Sequence, residues 1–270
     1  MEAVEQELPE LLATIENYDA DDVYNFDETS LFYRLEPDKT LATKRIEGRK
    51  QSKERVTIGL CSNATGTDKW CPIVIGKYAK PRCFKNVNLH NIGVSYRNNK
   101  SAWMTAIIFQ EWAKQFDRLI RLANPDRKVL LLLDDCGSHV ISGLKLKNTE
   151  IKFLPPNATS KLQPLDAGII RSFKTKYRQN YVRYLLSELE KTLLVQPKLQ
   201  LIDAIRYVVQ SWNEVSAKTI THCWNRKKLV KLPEPDSQIN EPTNRELCDD
   251  IGKLNLESPM TAEEYINIPE

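Results

Sequence analysis

An α/β fold built on a mixed sheet is the class this sequence predicts, on three observations. Val129 to Leu133 is a run of five apolar residues, too short for a membrane helix and typical of a strand buried on both faces. Three segments rich in aromatic and β-branched residues precede it, over 23–33, 56–62 and 70–76, as an antiparallel meander would require. An amphipathic helix separates the meander from the apolar run, which gives the order β-β-β-α-β.

The chain has 270 residues, enough for one large domain with its own core. Its six cysteines stand at irregular spacings without a Cys-x-x-Cys pair, so reduced thiols are expected rather than a disulfide framework. The acidic N-terminus is unlike a secretory or mitochondrial leader. No apolar run approaches the roughly 20 residues that span a bilayer, so no membrane partner is expected. The net charge of +3 conceals an uneven distribution. Residues 1–20 carry six acids and no base, and residues 232–270 carry ten acids against Arg245 and Lys253. Between them stand 37 Lys and Arg against 20 Asp and Glu, a middle of +17 suited to a polyanion. Three parts follow: an acidic leader helix (1–20), a basic α/β domain with C-terminal helices (21–231), and an acidic, flexible tail with at most one short helix (232–270).

Taken in order, Leu8, Leu11, Leu12 and Ile15 repeat at helical spacing in the leader. The first strand, from Val23, carries Asp27 and Glu28 in its middle, a costly place for acids unless they face water or a cation. Residues 39–55 hold Lys39, Lys44, Arg45, Arg49, Lys50, Lys53 and Arg55, a loop suited to lie over a phosphate backbone or simply to be solvated. Strands over 56–62 and 70–76 are joined by a turn containing Asn63 and Gly66, and residues 77–100 read as an irregular surface excursion. Ile108, Trp112, Phe116, Leu119 and Ile120 define a helix that ends before Asn124-Pro125. After the central run, Ile151 to Leu154 is a fifth strand. A helix is expected from Pro164, with Leu165, Ile169, Phe173 and Tyr177 at intervals of four, Asp166 in its first turn, and a basic face of Arg171, Lys174, Lys176, Arg178 and Arg183. Two more helices, about 199–213 and 217–227, carry apolar faces.

Three acids therefore hold matching positions: Asp27 in the first strand, Asp134 at the end of the central one, and Asp166 at the start of a later helix. Singly each has a plain explanation, in a bulge, a turn cap or a helix dipole. Together they suit divalent cations, because carboxylates this close would otherwise repel one another and take up protons. Two Mg²⁺ or Mn²⁺ ions, roughly 3.5–4 Å apart, serve phosphodiester displacement in such sites. Asp135 is a further candidate ligand, Glu28 a supporting acid, and His139 either orients the loop or contacts DNA. Zinc is disfavoured, since Cys136, His139, His222 and Cys223 do not complete a four-ligand pattern. No Gly-x-Ser-x-Gly elbow and no phosphate-binding Gly-x-x-x-x-Gly-Lys-Ser/Thr loop is present, which argues against a serine hydrolase and a nucleotide hydrolase.

Between about Tyr24 and Leu229 the sequence resembles the Tigger and pogo group of DDE transposases, relatives of centromere protein B and the jerky proteins. The motifs that carry the likeness are Asn25-Phe-Asp-Glu-Thr, Leu131-Leu-Leu-Asp-Asp-Cys-Gly-Ser-His, Leu154-Pro-Pro-Asn-Ala-Thr-Ser, Leu162-Gln-Pro-Leu-Asp-Ala-Gly-Ile, Trp212-Asn-Glu-Val-Ser and Thr219-Ile-Thr-His-Cys-Trp. The resemblance implies a ribonuclease H-like fold, with a five-stranded sheet whose first three strands are antiparallel. It also implies a catalytic triad of Asp27, Asp134 and Asp166, two divalent cations, DNA as partner, and residence in the nucleus. A homodimer on DNA is compatible with it. Two departures stand out. Asp135 occupies a position where family members usually have Asn, and the helix-turn-helix domains expected ahead of the triad have no room before Asp27. The expected activity is cutting and joining of DNA, and the alternative is a domesticated DNA- or chromatin-binding protein without catalysis.

Overall fold

The computed structural model describes residues 2–38, 53–155, 159–191, 198–233 and 244–268. A six-stranded sheet in the order β4-β3-β2-β1-β5-β6 divides the molecule. Its strands are β1 (Val23–Phe32), β2 (Arg55–Asn63), β3 (Ile73–Gly76), β4 (Ser95–Asn98), β5 (Val129–Leu133) and β6 (Thr149–Phe153). β1 to β3 form the antiparallel meander, while β5 runs parallel to both β1 and β6. This is the ribonuclease H-like arrangement, with one strand more than the five expected. The extra strand, β4, lies parallel to β3 on the edge, inside the segment expected to be irregular. Its sequence, Ser-Tyr-Arg-Asn, is too short and polar to announce a strand, and Tyr96 anchors it edge-on against Phe84 at 4.8 Å.

Alternation along the strands feeds two cores. Tyr24, Phe26, Ile73, Ile75, Leu131 and Leu133 face α2 (Ala106–Ala123), where Phe26 packs 4.1 Å from Trp112 and Tyr24 meets Phe116 edge-on at 5.3 Å. Thr105 caps this helix by accepting from the Ile108 amide. Asp117, a buried acid in the same helix, accepts the amides of Lys147, Asn148 and Thr149 at 2.7–3.0 Å and so fixes where β6 begins. Val23, Leu60, Val74, Leu130 and Leu132 face the other way, against α1 (Glu2–Ile15), α4 (Ile169–Lys191), α5 (Leu201–Glu214) and α6 (Ala217–Lys227). Lys69 ties the sheet to this layer. Its ammonium donates to the carbonyls of Trp212, Asn213 and Val215 at 2.7–2.9 Å, satisfying the open C-terminus of α5.

Two sequence expectations need correction. The helix from Pro164 is interrupted: after the short α3 (Thr159–Leu162), Leu165–Ala167 form a separate 3-10 turn, and α4 starts only at Ile169. Gly168 makes the break at φ +146°, a conformation that side-chain-bearing residues rarely adopt, so Asp166 stands before the long helix rather than within it. The acidic tail, expected to be flexible with at most one helix, forms α7 (Asn244–Lys253) and α8 (Ala262–Ile266). Leu247, Ile251 and Leu254 recur at helical spacing and are buried, and Thr261 with Glu264 closes a capping box. Tyr265 is fully buried, with its hydroxyl on the Leu35 carbonyl and its ring 4.7 Å beneath the Arg178 guanidinium.

The seating of this segment is testable. Tyr265→Ala is expected to lower stability by about 3–5 kcal/mol in urea unfolding, as loss of a buried aromatic does. Tyr78→Ala, at a 64% exposed position, should stay within about 0.5 kcal/mol of the parent, and a Tyr265→Ala loss that small would mean the tail is not part of the core.

Candidate active site

The parallel pairing of β1 with β5 places Asn25 opposite Leu132, which brings Asp27 and Asp134, two residues further along each strand, to the same end of the sheet. A side-chain amide then joins the third acid to the first two. Asn25, fully buried, donates to the Leu132 carbonyl at 3.0 Å, and its oxygen accepts from the Leu165 amide at 3.0 Å, next to Asp166. Gln163, also fully buried, accepts from Asn25 at 3.3 Å and donates to the Phe26 carbonyl at 3.4 Å. One polar joint therefore positions all three acid-bearing segments. The Asp27 and Asp166 carboxyls stand close enough to shift each other's proton affinity.

The electrostatics of the cluster are those of a cation site. Burial raises the Asp27 carboxyl well above the usual carboxylate range, and the charges of Asp166, Glu28 and Asp134 add to the shift against the Gln163 hydrogen bond. Asp166 keeps contact with solvent at the rim. Protein packed round its carboxyl and the charge of Asp134 raise it too, against the contact with Asp27 and the charge of Lys227. On the α2 side His139 lies buried, its Nδ1 2.7 Å from Asp134 Oδ1 and its Nε2 3.1 Å from Glu28 Oε1. The aligned hydrogen bond of Nδ1 goes to the Asp134 backbone carbonyl at 3.1 Å, so the Oδ1 contact is ionic. Burial disfavours a charged imidazole, but contacts with Asp134, Cys136 and Glu28 outweigh it and raise His139 far above its ordinary value. Burial likewise opposes ionisation of Asp134, and His139 more than offsets this, leaving that carboxyl below its usual range.

The donor set fits a hard divalent cation. Asp27, Glu28 and Asp134 each offer a carboxylate oxygen, and these atoms lie within 4.8 Å of one another; Asp166 is not of this group but stands near enough to raise the proton affinity of Asp27. Oxygen-only donors with excess negative charge suit Mg²⁺ or Mn²⁺. Asp134, Cys136 and His139 also cluster among the described residues, with His139 already engaged by acids on both ring nitrogens. Asp135, expected as a further ligand, is exposed and belongs to neither cluster.

The basic residues fare less evenly. Lys44, Arg45, Arg49 and Lys50 lie outside the described residues, and Lys53 is exposed at the start of the segment leading into β2. The expected basic face of α4 does not stand open. Arg178 is fully buried, donating to the Phe32 carbonyl at 2.8 Å, so it is a core residue and not a DNA contact. Arg171 meets Glu263 at 2.6 Å, and Arg183 pairs with Asp250 at 3.4 Å and Glu246 at 3.5 Å. The acids of the tail thus occupy one side of the helix. Lys174 and Lys176 are half-buried, with Lys176 close enough to Lys69 to lower its proton affinity beyond the effect of burial. Sequence reasoning missed Lys227 at the end of α6, whose charge stabilises the ionised form of Asp166. Its neighbour Arg226 donates to the Ala167 carbonyl at 3.2 Å. The run Arg226-Lys-Lys was visible, but α6 read as apolar core.

Fold and cluster define a ribonuclease H-like domain with three aspartates converging at the end of its central strands. The chain belongs to the DDE superfamily endonuclease family, whose model matches residues 53–224, and within it to the pogo and Tigger type of transposase-derived domains. It is 33% identical to CENP-B homolog protein 2 of Schizosaccharomyces pombe (strain 972 / ATCC 24843) over 97% of this chain and 53% of that protein. It is also 33% identical to Tigger transposable element-derived protein 4 of Mus musculus, over 76% of this chain and 39% of that protein. The chain thus spans about half or less of these curated relatives. Among solved structures, the Mos1 mariner paired end complex with Mn aligns over 84% of this chain and 60% of that chain, at 11% identity and a TM-score of 0.46.

A carboxyl raised above its unfolded pKa destabilises the fold increasingly as pH rises through its folded value. Asp27→Asn is therefore expected to stabilise the chain at neutral pH in EDTA, by about 0.5–2 kcal/mol. Mn²⁺ should stabilise the parent more than the variant. A variant less stable than the parent in EDTA would show that Asp27 is not under electrostatic strain.

Proposed function

We propose that this chain is a metal-dependent DNA endonuclease and strand-transfer domain, with Asp27, Asp134 and Asp166 as its catalytic acids and DNA in the nucleus as its partner. The observation that supports this most is the approach of three sequence-distant carboxylates, two of them raised by burial and by the charge of neighbouring acids. Asp27, Asp134 and Asp166, with Glu28 beside them, would hold two divalent cations. When bound, such ions supply Lewis-acid stabilisation of the charge that develops on the phosphate oxygens. The chain's own parts do the rest. Asn25 and Gln163 fix the spacing of the acids, His139 holds Asp134 ionised and anchors Glu28, and Lys227 draws a phosphate toward the rim.

A second reading, DNA binding without cleavage, draws support from His139. Its contacts to Glu28 and Asp134 set a cationic ring where both carboxylates would face metal, so an internal charge partly takes the cation's place.

Plasmid nicking separates the two. The proposal expects relaxation of supercoiled DNA with Mn²⁺ or Mg²⁺, none in EDTA, and a loss of about a hundred-fold or more on Asp134→Asn. Salt-sensitive DNA binding with no metal-dependent nicking would sink the enzyme reading and leave the second. In either case Lys227→Ala should weaken DNA binding several-fold and reduce the slope of affinity against salt by about one. An unchanged slope would remove Lys227 from the interface.

A further inference from the structure

We infer that Trp103, with Arg55 beneath it, is a stacking platform for an unpaired nucleobase of the DNA strand leaving the acidic crevice. This rests on DNA being the partner. Of the five tryptophans Trp103 alone stands out into solvent, 49% exposed. One exposed aromatic needs no explanation by itself, but tryptophan and arginine are enriched in contact surfaces, and here the two are stacked. The Arg55 guanidinium sits 4.1 Å from the ring centroid and is held there by a bond to the Ser101 carbonyl at 3.3 Å. With one face against a cation and about half the residue in solvent, the indole has room for a second planar partner.

The loop that presents it is built rather than loose. Asn99 accepts from the Ser101 and Trp103 amides at 3.1 and 3.3 Å and donates to the Trp103 carbonyl at 2.6 Å. Ala102 is held at φ +56°, an unfavourable conformation for alanine, by Thr57 donating to its carbonyl at 2.7 Å. A costly backbone turn is thereby maintained, and what it turns outward is the indole.

Position and charge select the ligand. Arg55 pairs with Phe32, five residues beyond Asp27 on β1, so the platform lies at the same end of the sheet as the acids. That is about 17 Å along the strand, roughly five phosphates of one B-form strand. Lys53 and Lys100 are both exposed in the adjoining segments, so a polyanion meets bases on approach while a base finds an aromatic face. A protein partner would meet the same indole, but the clustered cations favour nucleic acid.

The test uses the whole chain in EDTA, without cleavage, and a single-stranded oligothymidylate of about 15 nucleotides. Binding should quench tryptophan emission saturably. Trp103→Ala should weaken binding about ten-fold, while Trp103→Phe keeps affinity within about two-fold and abolishes most of the quenching. Unchanged affinity in Trp103→Ala with its thermal unfolding intact would overturn the platform, as would failure of the parent chain to bind the oligonucleotide. A shift of the parent from dimer to monomer on Trp103→Ala, with DNA affinity kept, would instead assign the indole to a protein contact and also overturn it. Because no metal is present, the result is independent of the nicking assay: nicking with no effect of Trp103 refutes only the platform, and quenching without nicking refutes only the enzyme reading.

Discussion

The structure depends on one buried side-chain amide. Asn25 has every polar atom engaged by a different part of the chain: its NH₂ reaches β5 and Gln163, and its oxygen holds the turn before α4. These partners lie two residues from Asp134 and three and one from Asp166, so the joint converts strand register into site geometry. Removing it would leave buried backbone groups without partners and let three like-charged carboxyls move apart. Hydrophobic burial alone would not hold them together, since burial and repulsion both act against their ionised forms.

The two faces of the sheet divide the work around that joint. On the α4 side lie Asn25, Gln163 and the turn bearing Asp166, closed off from the helix by Gly168. On the α2 side Glu28 and His139 meet above Phe109, whose ring is 4.7 Å from the imidazole. Asp134 sits between, and its low proton affinity contrasts with the raised values of Asp27 and Asp166. Groups of one chemical type are thus pushed in opposite directions by what surrounds them, a pattern common at functional sites.

Much of this was legible in the sequence because it rests on local patterns. The apolar run of β5 admits no other placement, the meander follows from alternation and a turn, and α2 from its apolar spacing. The position of Asp134 followed from the end of the central strand, and Asp27 from the cost of an acid in the middle of the first. What the sequence did not disclose depends on tertiary partners. Arg178 reads as one more base in a basic helix, and only the docking of Tyr265 explains why it is buried. The acidic tail read as flexible because its charge dominates, yet its acids find Arg171 and Arg183 on α4. Lys227 was hidden in a helix whose apolar residues, Ile220 and Trp224, drew the reading toward core. Asp166 was placed correctly in order but wrongly in setting, since a glycine break leaves no trace in apolar periodicity.

The central claim is that Asp27, Asp134 and Asp166 together grip divalent cations. Calorimetric titration of the intact chain with Mn²⁺ tests it without any DNA. Saturable binding that is lost or weakened at least ten-fold in each of the three Asp→Asn variants is the predicted result. Binding of equal strength in the parent and all three variants would contradict it.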